Sequence, residues 1–370
     1  MLKEVYFESV RLGHPDKMCD FIADSILDEY YKQDKEARVA CECFFTGHKL
    51  VIGGEITSTA TVDIVKVAKD CIEKIGYNDN DFEVENLVSK QSPEIANLVD
   101  SWENLGAGDQ GVVVGYACKS YNSLPVEFTY IQRLMMMIDH YFQQEPELSG
   151  MMPDGKGFIA ISTGNVRVHV SYEAKDDGKT AVRQAYLTKM AKELYKTINL
   201  DKKYGEDIEV TFVEYYLGGP LADTGLTGRK IIVDTYGGAA PHGGGSFSGK
   251  DGTKVDRTGA YLAHQIAVSL VDSNICEEAT VWLGYAIGEG HPVSLKLELK
   301  GYSGGKEGLQ NIEEDIFSLL QTSEFSLQKV IRRFYEQDLF NNFASLSAYG
   351  HFGRVYEWDM SIPSILGVLC

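Results

Sequence analysis

Apolar runs of strand length come in neighbouring pairs along this chain, with helical stretches beside the pairs rather than between their members. Strict strand–helix alternation leads to a parallel sheet covered on both faces. Paired strands lead instead to antiparallel sheets with helices to one side. The fold class is therefore read as α+β with mainly antiparallel sheets. Paired strands are predicted at 39–45 and 50–57 (joined at Thr46-Gly47), at 158–162 and 166–172, and at 279–287 and 293–299. Single extended segments are predicted at 111–117, 208–217 and 230–235. Helices are predicted over 15–34, 62–75, 129–144, 180–198 and 256–272, with one or two more up to about 335. Pro15 suits a first helical turn, and Met18, Ile22, Ile26 and Tyr30 recur at helical spacing. The polar stretch 89–108, with Pro93, Gly106 and Gly108, reads as a long loop, of a length that is usually either a functional lid or disordered.

The chain has 370 residues, too many for one ordinary core, so two or three domains are expected; 44% hydrophobic residues allow a large interior. It holds no run of roughly 20 apolar residues, so no membrane span is expected. The first nine residues lack the apolar stretch of a secretory signal. The seven cysteines are scattered without zinc-type spacing, which fits a reducing compartment, and a cytoplasmic location is expected. A net charge of −19 argues against nucleic acid as a general partner. It leaves room for a phosphate ligand, which needs only a few well-placed cations.

Four segments carry the chemistry. Gly13-His14-Pro15-Asp16-Lys17 opens the first helix, where free N–H groups and the helix dipole favour an anion. A carboxylate there suits Mg²⁺ bound to phosphates; simple capping by Asp16 is the bland alternative. Glu42 and Glu55 each sit inside an otherwise apolar strand. Either they face water on a half-exposed sheet, or a cation or amino group is their partner. Gly106-Ala107-Gly108-Asp109-Gln110-Gly111 presents Asp109 at a strand start, or is a plain tight turn. Residues 244–250 fit the G-x-x-x-x-G-K part of a phosphate-binding loop, but Asp251 follows where Ser or Thr is needed, so an ordinary P-loop NTPase is rejected. A glycine-rich cradle with a lysine remains, flanked by Lys254, Asp256 and Arg257 and preceded by Gly228-Arg229-Lys230.

Taken in order, these segments resemble the methionine adenosyltransferases. The resemblance is carried by Gly13 to Lys17, Gly53-Gly54-Glu55-Ile56-Thr57, Gly106 to Gly111, Gly225 to Gly238, Gly243 to Asp251 and Tyr349-Gly350-His351-Phe352-Gly353-Arg354, and covers nearly the whole chain. It implies three similar α/β-layered domains with pseudo-threefold symmetry, divided at 1–101, 102–217 and 218–370. It implies ATP and L-methionine as substrates, Mg²⁺ and K⁺ as cofactors, and homodimers or homotetramers with active sites between subunits.

Residue by residue, the resemblance puts His14 beside the leaving O5′ and Asp16 and Asp256 on Mg²⁺. Lys156, Arg229, Lys230, Lys250 and Lys254 are expected at the triphosphate, Asp154 at the ribose, Tyr215 on adenine and Asp223 elsewhere along ATP. Glu55, Gln91, Asp109 and Lys254 are expected at methionine, and Glu42 at K⁺. One chain is expected to supply Glu42, Glu55, Gln91 and Asp109, and the other His14, Asp16, Lys156, Arg229, Lys250, Lys254 and Asp256. Departures from the family's pattern occur after Lys156, where Gly157-Phe158 follow, before Gly218, where 211–214 read Thr-Phe-Val-Glu, and at Arg11-Leu12. The expected reaction is attack of the methionine sulfur on C5′ of ATP, then hydrolysis of the triphosphate to phosphate and pyrophosphate. The alternatives are a same-fold enzyme with altered nucleotide or methionine-analogue preference, and a non-catalytic nucleotide-binding regulatory subunit.

Overall fold

A computed structural model describes residues 4–90, 105–162, 165–336, 340, 342–354 and 356–369. Three sheets form the frame. The first has the order β4-β3-β2-β9, from Arg38–Thr46 (β2), Lys49–Thr57 (β3), Glu83–Asn86 (β4) and Gly225–Leu226 (β9). The second is β1-β6-β7-β8, from Val5–Val10 (β1), Met151–Ser162 (β6), Asn165–Ala174 (β7) and Ile208–Tyr215 (β8). The third is β11-β10-β5, from Gly111–Cys118 (β5), Glu278–Tyr285 (β10) and Ser294–Lys300 (β11). Among the strand pairs of the described residues, β3–β4 and β7–β8 run parallel and the others antiparallel. The α+β reading holds.

Each sheet is built mainly from one third of the chain and takes one strand from another third. β1 joins the central strands, β5 joins the C-terminal pair, and β9 joins the N-terminal sheet. The N-terminal, central and C-terminal thirds are thus interlocked by hydrogen bonds rather than merely packed.

The helices follow the same frame: Pro15–Gln33 (α1), Ile64–Ile75 (α2), Val126–Tyr141 (α3), Thr180–Thr197 (α4), Leu200–Tyr204 (α5), Ile231–Asp234 (α6) and Val255–Asp272 (α7), with further helices to Pro363–Leu369. In β2 the alternation is strict: Val39, Cys41, Cys43 and Phe45 are buried, while Glu42 and Phe44 are exposed on the open face. α1 packs on the buried face of β2. α7 is buried from Arg257 to Val271 and packs on β5 and β10. That contact is close enough that a Cβ on Gly115 would lie 2.0 Å from the Ala263 carbonyl carbon. Cys19, Cys41, Cys43, Cys71, Cys118 and Cys276 are buried and unpaired.

Three expectations change. The strand expected at 230–235 is a turn and the one-turn helix α6, despite its β-branched Ile-Ile-Val run. Asp234 N–H bonds Lys230 O, and the Asp234 carboxylate receives the buried Lys17 ammonium. Tertiary ion pairing overrides local propensity here. β1 and β4 were not anticipated. β6 begins at Met151, so Asp154-Gly155-Lys156 lies within a strand with a register shift between Met151 and Gly155.

Gly115→Ala should lower unfolding stability by about 1–3 kcal/mol through overpacking against α7. Gly53→Ala, where a Cβ meets nothing within 4 Å, should cost nothing measurable. Urea unfolding of the two variants checks the contrast; equal midpoints would mean the β5–α7 contact is looser than drawn.

Candidate active site

α1 begins where two chain segments cross. Residues 225–227 and 249–251 lie end to end along the outer edge of β2 and complete its hydrogen bonding. Phe44 and Phe45 pair with Leu226 and Gly225, Thr227 N–H bonds Cys43 O, Cys41 N–H bonds Gly249 O, and Lys250 pairs with Ala40. Gly249 makes this docking possible. Its φ is +77°, and a Cβ there would sit 1.9 Å from Cys41 O. The sequence therefore delivers Arg229-Lys230 and Lys250 to one sheet edge.

The first cluster surrounds the start of α1. His14 is the N-cap residue, and its Nδ1 accepts from Asp16 N–H at 3.2 Å. Asp16 is buried; its carboxylate accepts from Leu226 N–H at 2.9 Å and from the Lys230 ammonium, with Arg229 Nε at 3.7 Å. The His14 imidazole is pushed down to about 4, first by burial and then by the Lys230 ammonium, against the opposing pull of Asp154, Asp16 and Asp223. With Nδ1 accepting, a neutral ring carries its proton on Nε2. Asp154 accepts from Gly219 N–H at 2.9 Å. Burial, then Asp154 and Glu173, hold the nearby Tyr215 phenol far above its ordinary range. Asp223 is exposed, its carboxylate turned to Thr224 N–H at 2.8 Å. This cluster joins a neutral imidazole, a buried carboxylate and two cations, a set suited to a polyanion with one acidic metal ligand.

The second cluster lies on the open face of the N-terminal sheet. Ala40 stands between Glu55 of β3 and Lys250, so Lys250, Glu55 and Glu42 share one face. Glu42 and Glu55 are exposed there, which favours the water-facing alternative within a single chain. Lys250 Nζ meets Asp256 at 2.5 Å, and Lys254 Nζ meets Asp251 at 2.8 Å. Burial alone would raise Asp251, but Lys254 and hydrogen bonds from Lys254 and Thr253 hold it below the usual carboxylate range. Asp109 is exposed at the mouth of β5, two residues before Gly111, whose Cβ position is 3.8 Å from Asp256 Oδ1. Lys250 and Asp256 therefore stand with Glu42, Glu55 and Asp109. Lys156 joins neither cluster; it is exposed on the second sheet and pairs with Glu8 at 2.8 Å. Gln91 lies outside the described residues.

Sequence reading missed Asp20 and Asp24, which hold these loops, and set Arg257 among the phosphate-cradle cations, whereas it is buried beneath the loop on Asp24. Gly228 N–H bonds Asp20 at 2.8 Å, and Gly249 N–H bonds Asp24 at 2.7 Å. Arg257 is fully buried and bonds both Asp24 oxygens, at 2.7 and 3.0 Å. The signal was present in Asp16, Asp20, Asp24 and Asp28, spaced one helical turn apart.

Comparison with known proteins gives the family. Residues 5–95, 104–211 and 217–360 match the N-terminal, central and C-terminal domain models of S-adenosylmethionine synthetase. The S-adenosylmethionine synthase of Mesoplasma florum is 37% identical over 371 residues, covering 95% of this chain and 96% of that one. The chain belongs to the S-adenosylmethionine synthetase family. The synthase of Parvibaculum lavamentivorans is 39% identical over 374 residues, covering 95% and 92%. A solved structure described as an unusual S-adenosylmethionine synthetase from Campylobacter jejuni superposes with a TM-score of 0.85 at 28% identity, covering 100% of both chains. The activity is that of the family: adenosyl transfer from ATP to methionine. Among the described residues no helix is long and apolar enough to cross a membrane, and no cluster of three or more His, Cys, Asp or Glu residues could hold a metal by itself.

Because the folded His14 binds its proton less tightly than the ordinary 6.5 of an unfolded chain, its contribution to stability is intact above about 6.5 and erodes as pH falls toward about 4. Imidazole NMR, with the signal assigned by its loss in His14→Asn, should show His14 unprotonated down to pH 5.5 and titrating near 4. A midpoint at 6.5 would mean the ring is solvated and free of Lys230.

Proposed function

We propose that S-adenosylmethionine is made at a site completed by two copies of the chain, the His14–Asp16–Arg229–Lys230 cluster of one copy facing the Glu42–Glu55–Asp109–Lys250–Asp256 cluster of the other. The observation that carries this reading is the packing of Arg229 and Lys230 against Asp16, beside a histidine that burial keeps neutral.

The methionine sulfur attacks C5′ of ATP. The S–C5′ bond forms as the C5′–O5′ bond breaks, and the electron pair leaves with the triphosphate. A sulfonium and a more negative leaving group appear together, so the protein must stabilise separated charge. Arg229, Lys230 and Lys250 bind the triphosphate, aided by Lys254 and by Lys156 reaching from the second sheet. His14 Nε2–H donates to the leaving oxygen. Asp154 and Tyr215 hold ribose and adenine beside Asp223, and their placement around Gly218-Gly219 supports that role. Glu55, Asp109 and Gln91, with Lys254, orient methionine in line with C5′. The same cations then hold the triphosphate while water cleaves it.

Enzymes of this family use metal ions. Asp16 and Asp256 are oxygen donors that each already face a lysine, as groups meant to sit among phosphates do, and one or two carboxylates suit Mg²⁺ when substrate oxygens complete its shell. Bound there, Mg²⁺ neutralises charge on the leaving group. The exposed Glu42 suits K⁺, with further ligands from the facing chain.

Arg229→Ala and Lys250→Ala should each slow turnover about a hundredfold, the usual cost of one lost preorganised contact, about 3 kcal/mol. Asp109→Asn and Arg229→Ala, each nearly inactive alone, should recover about a quarter of wild-type activity when mixed under exchange. Half the dimers are then hybrids, each with one intact site of two. Background activity in hybrids verified by native mass spectrometry rules out the two-chain site. Failure of the purified chain to form product from ATP and methionine rules out the reaction.

A further inference from the structure

We infer that Asp20 and Asp24 are positioning residues for the reaction, fixing the two cationic loops that bring Arg229 to one active site of a dimer and Lys250 to the other; this rests on the phosphate reading of Arg229 and Lys250. Four aspartates on α1 recur every fourth residue, and all are buried. Each carboxylate accepts a backbone N–H from the last third of the chain, the first two from one segment and the others from two more. Asp16 takes Leu226, Asp20 takes Gly228, Asp24 takes Gly249, and Asp28 takes Phe343 and Ala344. The two middle acceptors grip the residue immediately before Arg229 and the residue immediately before Lys250.

Each of these two carboxylates has its own buried cation. Lys17 Nζ is 3.0 Å from Asp20 and also meets Asp234 in α6. Arg257 pairs with Asp24, and its Nη1 also donates to Phe247 O and Lys250 O, each at 3.1 Å. A single ion pair thus pins the glycine-rich loop at Phe247, Gly249 and Lys250. Ser246 of that loop fills the space where a Cβ on Gly228 would lie, 2.6 Å from its own Cβ, so the two loops are held against each other as well as against α1.

Burying carboxylates is costly, and an apolar contact would dock a loop at less expense. A carboxylate does what an apolar group cannot: it fixes a particular amide, and with it the direction in which the next side chain leaves the backbone. Cations aimed before substrate arrives need no rearrangement as charge develops. Lys17 and Arg257 satisfy Asp20 and Asp24, leaving the more exposed Arg229 and Lys250 to the substrate.

The test uses Asp20→Asn. Asparagine keeps the shape but has one acceptor oxygen where aspartate has two, so it cannot serve both Gly228 N–H and Lys17. In the full-length enzyme, verified as folded by thermal melting, kcat and the hydrolysis of added triphosphate should fall about tenfold, while KM for methionine moves less than about twofold. The deciding readout is a double-mutant cycle. In the Arg229→Ala background, Asp20→Asn should cost less than about threefold more; in the Lys250→Ala background it should still cost about tenfold. Asp24→Asn should show the reverse pairing, and if loss of a partner for buried Arg257 prevents folding, the Asp20 arms decide alone. Equal factors in both backgrounds, or no fall in kcat, would overturn the positioning role. Normal turnover of Arg229→Ala and Lys250→Ala would remove the phosphate reading itself, and this inference with it.

Discussion

A buried carboxylate must find donors, and α1 buries four in succession. That requirement organises the molecule. The donors are backbone amides at 226, 228, 249 and 343–344, so the helix that follows the His14 turn is the rail on which the last third of the chain is mounted. The balance of charge along the rail is local. Burial alone would lower the Lys17 ammonium, yet Asp20 and Asp234 hold it at about 12, while Asp234, buried beside it, is pushed up to about 7. Coupling of this kind makes the geometry all-or-none, because removing one partner strands a charge in the interior.

The sheet edges carry the same logic into the backbone. β2 needs partners on its outer edge, and it takes them from two short segments that contribute little else to any sheet. Those segments are short because each must turn away at once, the first into Gly228-Arg229-Lys230 and the second into Asp251 and the start of α7. Hydrogen bonding of an exposed edge and presentation of cations are one structural solution.

What could be read from the sequence was local. The paired strands, the α1 start at Pro15 and the glycine-rich stretch before Lys250 depend on near neighbours, and all appear where expected within a few residues. What escaped depends on distant partners. Asp20 and Asp24 were not singled out, since aspartate is mostly exposed; they are buried because amides roughly two hundred residues further on come to meet them. β1 has a partner near residue 160, so nothing around it announced a strand. The run at 231–233 favoured a strand by composition and lost to Lys17 and Asp234. Glu42 and Glu55 were left undecided between water and a cation, and one chain alone exposes them.

The exchange of strands between thirds has a consequence for vectorial synthesis. Translation delivers β1 first, yet its sheet cannot close until β8, ending at Tyr215, has left the ribosome. The N-terminal sheet waits for β9 at 225–226, and the last sheet waits for β11 at 294–300. From the emergence of β2, ending at Thr46, until that of β9, beginning at Gly225, the nascent chain therefore holds an open β-edge with no resident partner. Such edges recruit foreign strands and slow folding that depends on distant pairing. Glu8 in β1 and Glu42 in β2 are charges of the kind that blunt an open strand edge.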